Sequence, residues 1–133
     1  MQIRLKYGAE GLDLEFPQTP NFVGILQPLE AAPIANPAKA VVQALDQPLA
    51  SLPLRELAGG KTDAVIVISD ITRPVPNSLL LPPIISQLEA AGIASDQITI
   101  LIATGIHRPN EGEELERLVG REIAASYRII NHF

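Results

Sequence analysis

The sequence contains no cysteine. This excludes a disulfide framework, a thiolate nucleophile and any metal site built on sulfur, and it fits a reducing compartment. Aromatic residues make up only 4% of the chain, so the core must be aliphatic, built from Leu, Ile, Val and Ala. Basic residues are in the minority, with 10 Lys and Arg against 15 Asp and Glu and a formal net charge of -5. That balance offers no basic face to a phosphate backbone, so nucleic acid is not an expected partner. No apolar run approaches the roughly 20 residues that span a bilayer, and no charged-then-apolar leader opens the chain. The expectation is a cytoplasmic protein with no membrane partner. Neither GxGxxG nor GxxxxGK[ST] occurs, so there is no phosphate loop. His107 and His132 stand far apart with no cysteine nearby, which is not a zinc-site pattern, and no metal ligand is expected.

What is present is a chain of 133 residues, 47% of them hydrophobic. This is enough for one domain with a real though modest core and too apolar for disorder. "MQIRLKYG" alternates Ile3, Leu5 and Tyr7 against polar neighbours, and "LDLEF" alternates Leu12, Leu14 and Phe16. With the turn-like "AEG" between them, these segments predict a β-hairpin. "NFVGILQP" predicts a third short strand stopped by Pro28. "NPAKAVVQALDQP" carries a helix grammar: Asn36 suits the N-cap, Pro37 the first helical position, and Ala40, Val41, Ala44 and Leu45 form one stripe. "LPLRELAGG" adds a turn or two, with Gly59 available as a left-handed cap.

From residue 64 the texture changes. "AVIVI" (Ala64 to Ile68) is continuous, apolar and β-branched, which predicts a parallel strand covered on both faces. "SLLLPPIISQLEAAG" predicts a helix with Leu80, Leu81, Ile84, Ile85, Leu88 and Ala91 inward and Gly92 as its cap. Pro82 and Pro83 are tolerable there only in the first turn. Gln97 to Ala103 predicts a second buried strand. "EGEELERLVG" predicts an amphipathic helix with Leu115, Leu118 and Val119 inward, and "SYRIIN" a last strand. The fold class is therefore α/β. A β-rich hairpin region precedes a doubly wound, Rossmann-like β-α-β-α-β unit on a mostly parallel sheet. The last strand lacks a following helix, so the unit reads as incomplete at its C-terminus, and an uncovered strand could pair with another copy.

In such sheets ligands bind beyond the carboxyl ends of the strands. "ISDITRPVPN" (Ile68 to Asn77) places Ser69, Asp70, Thr72 and Arg73 there, and "LIATGIHRPN" (Leu101 to Asn110) places Thr104, Gly105, His107 and Arg108. If the strands are neighbours, the loops face one crevice. His107 can move a proton near neutrality. Arg73 and Arg108 can grip a carboxylate or phosphate through paired hydrogen bonds. Asp70 can orient one of these groups, and Gly105 lets the backbone approach a ligand. The plainer readings are that Asp70 and Thr72 cap the next helix, that both arginines are surface residues, and that His132 is structural. From the residues alone the site is one for a small anionic molecule.

"SDITRPVPN", "LLLPPIISQLEAAGI", "ITILIATGIHRP" and the closing "RIINH" together resemble the N-terminal domain of the lactate racemase family, whose paired D-x-T-R-P and T-G-x-H-R-P signatures are specific in combination. The resemblance covers nearly the whole chain. It implies an isomerase that interconverts the configurations of a small 2-hydroxy carboxylate with a nickel-pincer nucleotide. A histidine takes the alcohol proton while the Cα hydride passes to the cofactor. It implies that His107 is one of two acid/base histidines and that Arg73 orients the substrate. Asp70, Thr72, Thr104, Gly105 and Arg108 then line the substrate and cofactor pocket. It also implies that residues 1–133 are a single, N-terminal catalytic domain. The second histidine, the cofactor-attachment lysine and the nickel ligand belong to a C-terminal part absent from this chain, which alone should be inactive. Lys6, Lys39 and Lys61 lie in unrelated contexts. Ile106 stands where a second Thr is common, and Phe133 follows "NH" where an acidic residue is usual. The alternative is a stand-alone module that binds an anion or nucleotide in the same crevice without chemistry.

Overall fold

The computed structural model describes residues 1–132 apart from Ala9, Gln18 and Pro28. Part of the expected "AEG" turn, the strand stop at Pro28 and the departure at Phe133 thus lie outside the described residues. The chain divides into two compact units, residues 1–33 and 34–133.

In the first unit, strand β1 (Gln2–Leu5) pairs antiparallel with β2 (Leu12–Glu15), matching Ile3 with Leu14 and Arg4 with Asp13. The period of two separates the faces as expected. Ile3 and Leu14 share the half-buried one, while Arg4 pairs with Asp13 at 2.9 Å and Gln2 with Glu15 at 3.0 Å. The third strand expected in "NFVGILQP" does not form over residues 21–27. Val23 and Leu26 are fully exposed, and Gly24 turns to a φ of +143°. A segment of strand-like composition becomes a strand only where a neighbouring edge accepts its backbone, and residues 21–27 pair with none.

In the second unit, α1 (Pro37–Asp46) begins as the sequence requires, with the Asn36 side chain accepting from the Lys39 N–H at 3.0 Å. The short α2 (Leu54–Ala58) ends at Gly59, but the left-handed residue is Gly60, with a φ of +71° against -55° for Gly59. The cap thus sits one residue later than expected.

Strand β3 (Ala64–Ser69) leads into α3 (Asn77–Ala90), which returns to β4 (Ile98–Ala103). Next come α4 (Gly112–Val119), α5 (Arg121–Ser126) and β5 (Arg128–Asn131). The sheet is parallel in the order β3-β4-β5, giving the β-α-β-α-β unit expected behind a hairpin. Helix α5 was not foreseen.

Pro82 and Pro83 lie inside α3, in its second turn rather than its first. Pro82 withholds the N–H that would bond to the Ser78 carbonyl, but Ser78 is exposed and water can replace it. The far end of α3 closes as the sequence indicates. Gly92, at φ +102°, donates to Glu89 O, Ile93 donates to Leu88 O, and the buried side chains of Ile93 and Leu88 accompany that Schellman bond.

Ile98, Ile100 and Ile102 of β4 are fully buried. They belong to one cluster with Ile68 of β3, Leu81, Ile85 and Leu88 of α3, Leu118 and Val119 of α4, and Ile123 of α5. Each such side chain contributes roughly 1.5–3 kcal/mol of burial. The covering expected on both faces of β3 is found on one. Val65 and Val67 remain 59% and 63% exposed. The strand order runs one way across the sheet, so α3 and α4 lie side by side on the same face. An apolar run cannot announce that order.

Candidate active site

Ser69 and Ala103, the last residues of β3 and β4, are register partners. Parallel pairing therefore releases both following loops at one edge of the sheet, the carboxyl edge where ligands bind in this architecture. Each loop opens with a tight turn. The Arg73 N–H donates to Asp70 O at 3.1 Å, and the His107 N–H donates to Thr104 O at 3.0 Å. Gly105 takes a φ of +58° in the second turn, a conformation L side chains rarely adopt. The two turns place Arg73 and His107 at equivalent positions beside a crevice of about 260 Å³. Its walls are Ser69, Asp70, Arg73, Ala103, Thr104, Gly105, Ile106 and His107. Drug-sized pockets hold roughly 300–1,000 Å³, so this one suits a smaller ligand.

Asp70 is 4% exposed and is the electrostatic centre of the site. Its Oδ1 accepts from the Thr72 N–H at 2.9 Å and from the Thr72 hydroxyl at 2.5 Å. Its Oδ2 lies 2.5 Å from His107 Nδ1. The Thr72 hydroxyl, then the His107 contact, lowers its pKa to about 2 against the opposing effect of burial. An ionised carboxylate can only accept, so His107 Nδ1 is the donor. The lone pair of the neutral ring is then on Nε2, the nitrogen Asp70 does not use. The imidazole side chain is 45% exposed at the crevice wall, held by a carboxylate that is itself fixed from behind.

Of the expected residues, the structure brings Asp70, Arg73, Thr104, Gly105 and His107 to the crevice. Thr72 stands behind Asp70 and does not cap α3, whose N-cap position is Pro76 with no side-chain cap bond. The Thr104 hydroxyl is committed to the backbone carbonyl of His132, so Thr104 presents no free hydroxyl proton to a ligand. Arg73 has no ion-pair partner among the described residues. Arg108 does: its guanidinium grips Glu114 with two bonds of 2.6 and 2.8 Å. That bond raises the Arg108 pKa and lowers that of Glu114. Arg108 does not line the crevice. The twofold basic crevice envisaged from the two Arg-Pro turns therefore holds one free guanidinium, because a helix-borne carboxylate claims the other.

Sequence reasoning missed Asn110 and Asn131. Asn110 is 2% exposed. Its N–H donates to Asn131 Oδ1 at 2.8 Å, and its carbonyl accepts from Asn131 Nδ2 at 3.1 Å. The only available signal was its place at the end of the "HRPN" turn, and asparagine is common in turns.

Residues 7–133 match the family model described as "Lactate racemase N-terminal domain". A lactate racemase of Lactiplantibacillus plantarum is 42% identical over 95 residues, which are 71% of this chain and 22% of that protein. One from Thermoanaerobacterium thermosaccharolyticum is 31% identical over 132 residues, 98% of this chain and 30% of that protein. The solved structure of the lactate racemase apoprotein from T. thermosaccharolyticum matches with a TM-score of 0.75 at 29% identity, over 100% of this chain and 30% of its own. The chain thus spans less than a third of the length of these relatives.

Proposed function

As the chain belongs to the lactate racemase N-terminal domain family, we propose that it supplies the proton-handling half of a site that inverts a small 2-hydroxy carboxylate. The observation that carries this reading is the Asp70–His107 contact beside the unpaired Arg73. Arg73 grips the substrate carboxylate. His107 Nε2 accepts the C2 hydroxyl proton, the ionised Asp70 stabilises the imidazolium that forms, and the same proton returns in the reverse step. The family resemblance implies that the C2 hydrogen leaves with its electron pair, as hydride, a transfer that no side chain of the crevice can accept. In this family the acceptor is expected to be a nickel-pincer nucleotide. Among the described residues no group of three His, Asp or Glu side chains could hold a metal. Within the second unit Lys39 and Lys61 are exposed and neither lines the crevice. These residues do not fit as holders of that group, and the chemistry assigned to them ends at the proton. On this reading the holder, and a base for the opposite face, are not among the residues of the crevice.

The test is a chimera. Residues 1–133 replace the matching segment of the T. thermosaccharolyticum lactate racemase, and interconversion of D- and L-lactate is followed in the cofactor-loaded protein. Turnover is the expected outcome. A folded, loaded chimera that binds lactate but never inverts it would favour the second reading, an anion-binding crevice without chemistry. The absence of an attachment lysine from the crevice motivates that reading.

A further inference from the structure

Asp70 and His107 stand on different loops, and a 2.5 Å contact between them demands that the loops be fixed relative to each other. Beyond the strand ladder, one further hydrogen bond joins these loops among the described residues. The N–H of Ile71, the residue after Asp70, donates to Asn110 Oδ1 at 3.3 Å. The other end of the same amide, Nδ2, donates to Glu114 Oε2 at 3.1 Å. Glu114 in turn holds Arg108, the residue after His107. The Asn110 side chain therefore joins the residue after the carboxylate to the residue after the imidazole. Its backbone is locked to β5 through the reciprocal bonds with Asn131.

We infer that Asn110 is the positioning residue that sets the Asp70–His107 distance, and through it the nitrogen of His107 that carries the proton. An amide is suited to this place because it accepts and donates at once. A carboxylate would repel Glu114, and a hydroxyl is too short to reach both partners. The inference rests on the reading of His107 as the proton carrier, but its test does not, because the tautomer is visible without turnover.

The experiment is ¹⁵N NMR of the His107 ring in the neutral form, on the chain itself, well below the unfolding temperature. The parent should show the proton on Nδ1. Asn110→Ala, and the milder Asn110→Ser should the alanine variant not fold, should lose that preference and show a mixture with the Nε2-protonated form. Asn131→Ala removes two hydrogen bonds of the same network but leaves the Ile71 link, and should keep the Nδ1 signature despite a lower Tm. A folded Asn110→Ala or Asn110→Ser protein with the proton still wholly on Nδ1, or equal loss in Asn131→Ala, would overturn the inference. If the tautomer responds as expected while a His107→Ala chimera inverts lactate normally, the proposed function fails and the positioning role stands.

Discussion

His107 Nδ1 lies 2.5 Å from Asp70 Oδ2, although 37 positions of sequence separate the two residues. The contact needs β3 and β4 to be parallel neighbours in register, so that Ser69 and Ala103 end side by side. It also makes the carboxylate, rather than solvent, the partner of Nδ1, which leaves Nε2 as the basic nitrogen.

Asp70→Asn should therefore damage turnover more than its small change in shape suggests. The amide oxygen would stay with the Thr72 N–H and hydroxyl, turning the amide NH₂ toward His107. Nδ1 must then accept, the ring proton moves to Nε2, and the base is blocked. The expected loss in the chimera is about 10²–10⁴-fold in kcat, with KM for lactate little changed. An equal loss with the His107 proton still on Nδ1 would refute the tautomer argument.

The same carboxylate gives a pH signature. Its pKa is lowered to about 2 in the folded chain, from a usual value near 3.8. A lowered carboxylate contributes stability above its unfolded pKa and loses it as pH falls through the folded one. Chemical denaturation between pH 4 and 2 should thus show stability falling with acid, and Asp70→Asn should flatten that part of the curve. Identical slopes in parent and variant would place the acid sensitivity elsewhere.

Among the described residues Arg73 is the cation of the crevice without an ion-pair partner, so Arg73→Ala should raise KM for lactate roughly 10- to 100-fold, the scale of hydrogen bonds to a charged group. Arg73→Lys should recover only part of this, because an ammonium cannot reproduce the planar fork. Steady-state kinetics on the chimera decide it. Unchanged KM in both variants would remove Arg73 from the site.

Arg108 should behave differently despite the same Arg-Pro context. Its guanidinium is committed to Glu114, so Arg108→Ala should leave KM for lactate at the parent value while lowering Tm. A KM effect as large as that of Arg73→Ala would show that the ion pair opens to take substrate.

Much of this could be read from the residues, and the failures have physical causes. The apolar β-branched runs at Ala64–Ile68 and Gln97–Ala103 announce parallel strands, and the rule that ligands sit beyond their carboxyl ends leads to Asp70 and His107. Gly92 and Asn36 mark helix ends because their conformation and hydrogen bonding are local properties. The rest depends on distant partners. "NFVGILQP" has strand-like composition, but no edge takes it up. Val65 and Val67 read as buried, yet the strand order leaves their face open. Arg108 and Arg73 look alike in sequence, and only the folding of α4 brings Glu114 to one of them. Asn110 reads as an ordinary turn residue because its partners Ile71 and Asn131 lie 39 and 21 positions away.

The central claim is that His107 carries the substrate's hydroxyl proton, and His107→Ala in the cofactor-loaded chimera tests it most directly. The expected result is a fall in kcat for lactate inversion of about 10²–10⁴-fold or more, with the protein folded and lactate still bound through Arg73. Inversion at the parent rate in that variant would contradict the claim.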